Sequence, residues 1–421
     1  MNINAIICTI GLGGILFSGQ LHAELSAKDL QSMFDRAILT RESGKTFEAI
    51  ELFETILSNQ PTLNRVRLEL AVAYHQATRY EDALHEFKLV LDDPSTPENV
   101  KLSILAYLGQ LTSDELEPAA RHSFSYYTKA GALHNSNINA TPGSGLSTIA
   151  GISTADKISS TGVDINLSAS HRYNLKSPLN VQGAATYFEW QSQLGLASNL
   201  YSKTSDYDYT VLSLSTGPAF IAPGRWRASV SLRADQLLLG GSTLALFSSI
   251  NPAITFDFGH YRNLTIESAY THHSYDKPAD LGRDGNETMI GAGYNTLVNA
   301  NNTGLEAGFR LRQNDAQDTG YAYDDTELYF SGFTALSEQA VIYLRVNRHA
   351  YDYEGLDPIV SIQRDETEIL YALGYNRDLQ QGVLKNWTFN LEFSATSNNS
   401  NAAEYEYDRN LFSTSLSRYF Q

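Results

Sequence analysis

The sharpest constraint in this chain is a change of hydrophobic period at Ser123–Asn139, SFSYYTKAGALHNSNIN. Before this stretch the apolar residues recur at helical spacing, and after it they alternate almost to the last residue. Within it Phe124, Tyr126, Thr128, Ala130 and Ala132 fall on one face of an extended segment, and Ser125, Tyr127, Lys129 and Gly131 on the other. The stretch reads as the first strand of a large sheet and as the hinge between two domains of different physics.

The 421 residues exceed one ordinary domain. A leader is expected at 1–23, a helical domain at 24–121 and a sheet domain at 122–421. Ala5–Phe17 is an apolar core shorter than the ~18 residues of a membrane helix, and Leu21-His22-Ala23 offers a small-residue cleavage site. This is the pattern of a secretory signal. The single cysteine, Cys8, lies inside it. The mature chain then has no thiol for a disulfide, a metal or nucleophilic chemistry. A formal charge of −17 argues against nucleic acid as a partner.

Within the helical domain, Gly44–Pro61 and Thr78–Pro94 match at a fixed offset. Ala49 and Ala83, Phe53 and Phe87, and Ile56 and Val90 are each 34 residues apart. That period resembles the tetratricopeptide repeat, in which each helix pair buries one side on its neighbour. Ala27–Glu42 is expected as the first helix, Leu70, Ala71 and Tyr74 as packing positions, and Pro97–Leu111 as a capping helix. Arg65, Glu69, His75 and Gln76 are candidates for an inner, client-binding face; ordinary solvated helix positions are the competing reading.

From residue 122 the alternation is that of a transmembrane barrel. In Thr303–Arg312, Leu305, Ala307, Phe309 and Leu311 point one way and Glu306, Gly308, Arg310 and Arg312 the other. Trp226–Asp235, Ala340–Asn347 and Trp387–Ser394 repeat the pattern. Bulky charges on the polar face indicate a water-filled lumen, with lipid outside. Arg227, Arg233, Glu306, Arg310, Arg312 and Arg345 are the expected lumen-facing residues.

Fourteen strands are expected, joined alternately by tight turns and by longer polar loops at 135–160, 191–206, 274–287, 314–324, 351–364 and 396–407. An even count puts both ends of the barrel on the tight-turn side, which is the periplasm in outer-membrane barrels. The fold class is thus α+β and multidomain: a short α-helical array followed by a 14-stranded antiparallel transmembrane β-barrel. Phe420 and Tyr419 supply the terminal aromatic signature, and Arg418 is expected to snorkel on the outer face near the interface.

No catalytic constellation emerges, so the chain is not expected to be an enzyme and needs no cofactor or metal. His272 and His273 are adjacent on a strand and face opposite sides, which makes a poor metal pair. Asp280–Asn286 has the acids of a turn and lacks the spacing of a calcium loop.

The order of helical repeats, Pro97–Leu111, the strand ending Asn135-Ser136-Asn137-Ile138-Asn139, and a fourteen-strand barrel resembles the surface lipoprotein assembly modifiers. Asn135, Asn137 and Asn139 carry the local family mark; they read first as hydrogen-bonding structure at the strand end and second as a client contact. The resemblance implies an outer-membrane translocator with its N-terminal domain in the periplasm. It would deliver client proteins, either surface lipoproteins or secreted haem- or metal-scavenging proteins, to the cell surface. Outer-membrane lipid and the barrel-assembly machinery are the other implied partners. Two further readings fit a barrel with helical repeats: a polysaccharide export porin, and a general diffusion porin.

Overall fold

The computed structural model describes residues 27–139, apart from 78, 95, 98–99, 102–103 and 105–120, and residues 157–420, apart from 176, 182, 260 and 299–301. The expected signal at 1–23 lies outside the described residues, as do most of Pro97–Leu111 and the greater part of the 135–160 connection.

Four helices come first: α1 Ala27–Glu42, α2 Thr46–Asn59, α3 Asn64–Gln76 and α4 Tyr80–Asp92. Two residues beyond α1, Gly44 has a φ of 79°, the left-handed conformation that glycine adopts freely after a helix. Each residue pair marked by the 34-residue offset is buried in one core. Ala49 and Ala83 let helices approach, while Phe53, Phe87, Ile56 and Val90 fill the space between them, with Leu70, Ala71 and Tyr74 from α3. Ile104 joins the same core, so the chain beyond α4 still packs on the array.

The sheet domain has fifteen strands, of which fourteen are long. These are β1 His122–Asn135, β2 Ser160–Asn174, β4 Ala184–Tyr201, β5 Tyr209–Ala222, β6 Trp226–Leu239, β7 Ser242–Asp257, β8 Asn263–Tyr275 and β9 Gly285–Val298. They continue as β10 Thr303–Ala316, β11 Tyr323–Ser337, β12 Ala340–Leu356, β13 Gln363–Leu379, β14 Trp387–Ser400 and β15 Tyr407–Phe420. The short β3, Leu179–Val181, pairs only with β4 and is an added rung in the turn that joins β2 to β4. Every long strand runs antiparallel to the next, and β1 pairs with β15 from Tyr126↔Phe420 to Asn135↔Leu411. The sheet is therefore a closed fourteen-stranded barrel, with no free edge to leave backbone groups unpaired in lipid.

Alternation fixes which face looks out. Leu194, Leu214, Leu232, Ile290, Phe309, Leu328, Leu344 and Leu373 are exposed large hydrophobics on one parity of their strands. On the other parity stand Gln193, Ser213, Arg233, Gly291, Arg310, Glu327, Arg345 and Ala372. An exposed aliphatic belt around a closed antiparallel barrel is the lipid-facing surface of an outer-membrane protein. Arg418 lies on the belt side of β15, its guanidinium 4.7 Å from the Phe420 ring centroid.

The connections differ from the expectation in two ways. Several stretches read as polar loops are strand: β4 runs to Tyr201, β12 to Leu356 and β14 to Ser400. On β12 and β14 these stretches lie beyond the lipid, where both faces are wet and apolar alternation disappears while the backbone ladder continues. On β4 the stretch is part of the belt itself, with Leu194 and Leu200 exposed among small polar residues that masked the alternation. One link on the loop rim is also tight. Gly240 and Gly241, at φ 60° and 76°, turn β6 directly into β7.

Candidate functional site: the barrel interior and its two rims

The helices sit on the tight-turn rim. The Phe47 backbone N–H at the start of α2 donates to the Gly183 carbonyl beside β3, at 3.1 Å. The Tyr187 hydroxyl of β4 donates to the Gln76 carbonyl at the end of α3, at 3.4 Å. Gly183 has φ 79°, and a Cβ there would stand 3.2 Å from the Glu48 carboxylate, so this turn combines left-handed backbone with close helix approach.

The four inner-face candidates of the helical array all lie on α3 but have different surroundings. Glu69 pairs with Arg41 of α1 at 3.1 Å. The Arg65 guanidinium lies 4.9 Å from the Phe34 ring centroid. His75 is half-buried, and Gln76 is exposed while its carbonyl meets the barrel. They do not form one cluster. Tyr74, which the spacing marked only as packing, donates its hydroxyl to Glu54 at 2.5 Å, and burial with this carboxylate beside it pushes the phenol above its usual range.

The inner wall is asymmetric. On the side formed by β1, β2 and β4–β6, small hydroxyls and amides (Ser125, Ser170, Gln191, Gln193, Ser215 and Ser231) line a cavity of about 720 Å³. Such a surface offers many weak donors and acceptors; Arg172 is the charged side chain in the lining, and Lys129 pairs with Asp164 at 2.6 Å on the same side. Arg233 is held by Asp235 at 2.6 Å, and Arg227 is exposed on the same face of β6.

On the β8–β14 side the wall is a charge network. Arg310 donates to Glu267 at 2.7 Å and to Glu327 at 3.1 Å. Arg312 donates to Asp325 at 2.6 Å and to Glu327 at 2.5 Å. Asn347 donates to Glu327 at 3.0 Å, and His349 Nδ1 lies 3.0 Å from Asp325. Arg345 and Tyr343 share Glu392, and Glu306 accepts from Ser331. Alternation placed Arg310 and Arg312 on one face; it gave no sign of Glu267, Asp325, Glu327 or His349 as their partners. Those four come from β8, β11 and β12, and only the register brings them together.

The far rim, where the longer loops lie, is interlocked. Arg364 is sandwiched between the rings of Tyr353 and Tyr405, at 3.7 and 4.0 Å from the centroids. It pairs with Asp357 at 3.1 Å and with Glu366 at 2.8 Å. Tyr405 donates to Asp357 at 2.8 Å; burial and this carboxylate raise its phenol above the ordinary value. Sequence reading missed this cluster because its members are spread along the chain: Tyr353 lies near the end of β12, Arg364 and Glu366 open β13, and Asp357 and Tyr405 lie in the β12–β13 and β14–β15 connections. His272 and His273 do diverge: His272 meets Asn286 at 3.0 Å, while the His273 ring packs tilted against Phe247, with centroids 4.2 Å apart.

At the end of β1 the asparagines are buried and used by the fold. Asn135 Nδ2 donates to the Tyr201 hydroxyl at 3.1 Å, and its Oδ1 accepts from the Asn137 N–H at 2.9 Å. Asn137 Nδ2 donates to the Asp408 carbonyl, 3.0 Å away across the β1–β15 seam. Asn139 Oδ1 accepts from the Ile158 N–H at 3.0 Å.

No family model matches the chain. Solved barrels resemble it loosely: OmpT of Vibrio cholerae at TM-score 0.41 and 8% identity, over 72% of this chain and 98% of that one, and OprD of Pseudomonas aeruginosa at 0.37 and 9%, over 71% and 95%. The Surface lipoprotein assembly modifier of Pasteurella multocida (strain Pm70) is 26% identical over 125 residues, which is 30% of this chain and 23% of that protein. The match spans less than a quarter of that relative. The chain is thus an outer-membrane β-barrel with an N-terminal helical region, similar in sequence to a surface lipoprotein assembly modifier.

Proposed function

We propose that this protein is an outer-membrane translocator that delivers client proteins, surface lipoproteins foremost, from the periplasm to the cell surface. The observation that carries the reading is the seating of the helices on the tight-turn rim through Phe47 and Gly183. A helical array at the mouth of a barrel can hold a client segment against the opening. In this reading that mouth faces the periplasm, and the 24–121 region is the periplasmic domain.

The hydroxyl- and amide-lined wall suits an extended polypeptide, whose backbone exchanges one set of hydrogen bonds for another along the path. The charge network keeps the opposite wall rigid. With no nucleotide hydrolysis available at this membrane, folding of the client outside supplies the direction.

The test is deletion of the gene, with each candidate client followed by protease shaving of intact cells. The expected result is a client that is made and lipidated but protected from protease. If surface proteins all remain cleavable while export of a polysaccharide fails, the translocator reading is wrong.

A further inference from the structure

The loop Leu356–Ile362 at the rim opposite the helices displays aliphatic side chains to solvent. Leu356 is 64% exposed, Ile359 56% and Ile362 39%. Loops of this kind normally turn such residues inward, and a contiguous exposed apolar group marks a contact surface.

The loop is built to hold them out. The Asp357 side chain accepts from the N–H groups of Ile359 and Val360, at 2.9 and 3.1 Å. Its backbone N–H donates to the Ile362 carbonyl at 2.9 Å, and its carbonyl accepts from Ser361 at 2.8 Å. Ser361 is turned to φ 57°, a conformation a non-glycine residue adopts only when its surroundings impose it. The Arg364–Tyr353–Tyr405 cluster fixes the base. From the side, Gly320 approaches so closely that a Cβ there would lie 2.3 Å from the Leu356 carbonyl.

Position and charge limit what can cover this surface. On β12 the outward apolar residues stop at Val346, and the same face then carries Arg348 and Asp352. At about 3.3 Å of rise per residue and a tilt near 40°, Leu356 stands roughly 20 Å above the belt, out of reach of acyl chains. The exposed charges at the rim are mostly acids, Asp352, Glu354, Asp365, Glu404 and Glu406, with the exposed base Arg348 lower on the outward face of β12. The nearby arginines, Arg283, Arg364 and Arg409, are buried. A second copy would bring an equally acidic collar against this one, which disfavours self-association.

We propose that Leu356, Ile359 and Ile362 form a preformed docking site for a protein segment that is apolar at its centre and basic at its edges. In the orientation proposed above the partner meets this surface outside the cell, and that placement alone rests on the proposed function; binding itself does not depend on translocation.

The experiment uses the full chain in nanodiscs of zwitterionic phospholipid and a fluorescent amphipathic helix of leucine and lysine, with a leucine–glutamate helix as control. Wild type should bind the lysine helix, weakly or not at all the glutamate helix, and lose affinity in high salt. L356S/I359S/I362S should bind at least tenfold more weakly while keeping the heat-dependent gel shift of a folded barrel; I359D alone serves if the triple variant does not fold. Equal binding by the variants, or equal binding of both helices, overturns the proposal. So does a wild-type dimer in sedimentation that the substitutions dissolve, or selective loss of lipopolysaccharide micelle binding in the variants.

Discussion

Asn137 Nδ2 donates to the backbone carbonyl of Asp408 at 3.0 Å, joining residues 271 positions apart across the seam that closes the barrel. With Asn137 only 1% exposed, water cannot replace the bond. Asn137→Ala is expected to lower stability by about 1–2 kcal/mol, the cost of a buried hydrogen bond whose partner is left unsatisfied. Asn137→Asp, which turns a donor into a second acceptor facing the Asp408 carbonyl, should cost more. The temperature at which the folded barrel loses its fast gel mobility measures both.

Arg312 holds two carboxylates, Asp325 and Glu327, both nearly inaccessible to solvent. Arg312→Ala leaves buried negative charge underpaired, a loss of about 3–5 kcal/mol in comparable pairs. Arg312→Lys should recover only a fraction, because a single ammonium cannot reproduce the fork that reaches both acids. Asp325→Asn combined with Arg312→Ala should be milder than Arg312→Ala alone. Thermal unfolding of the three variants decides this.

Gly183 sets the attachment of the helices. Its left-handed backbone and the nearness of Glu48 mean that Gly183→Val strains the turn and pushes α2 away. The expected outcome is a barrel of unchanged thermal stability whose helical region becomes easier to release by limited proteolysis. Unchanged proteolysis would show that other contacts suffice.

Tyr74 is buried against Glu54 in the helical core, and its phenol is raised above the ordinary value near 10. The sign follows directly. A raised folded-state value favours the neutral phenol, so its contribution is fully present below about pH 10 and is lost as pH rises above that. The helical array should therefore lose structure at alkaline pH before the barrel melts. Tyr74→Phe should lower stability at neutral pH by about 1 kcal/mol for the lost bond to Glu54 and flatten the alkaline decline, as followed by circular dichroism.

Gly320 and the Leu356 carbonyl approach too closely for any Cβ between them. Gly320→Ala should displace the Leu356–Ile362 loop while the membrane belt stays intact. Faster proteolysis at this loop, with an unchanged gel-shift temperature, is the expected reading.

Local patterning was enough to mark the two domains and the faces of the strands. A period of two residues in Thr303–Arg312 separates Leu305, Phe309 and Leu311 from Glu306, Arg310 and Arg312 without reference to anything distant. The same local logic marked Ala49, Phe53, Ile56 and their counterparts 34 residues on as one helical core. It overestimated the loops: on β12 hydrophobic alternation ends where lipid ends while backbone pairing runs on to Leu356, and on β4 the small polar residues between Leu194 and Leu200 hid a membrane-facing strand. Which side chains meet was settled by the assembled barrel: Glu327 between Arg310 and Arg312, Arg364 between Tyr353 and Tyr405, and the asparagines of β1 locking the seam. The reason is register: side-chain partners in a closed sheet are set by how strands slide past one another and where the barrel closes. That is a property of all fourteen long strands together, and no single segment encodes it.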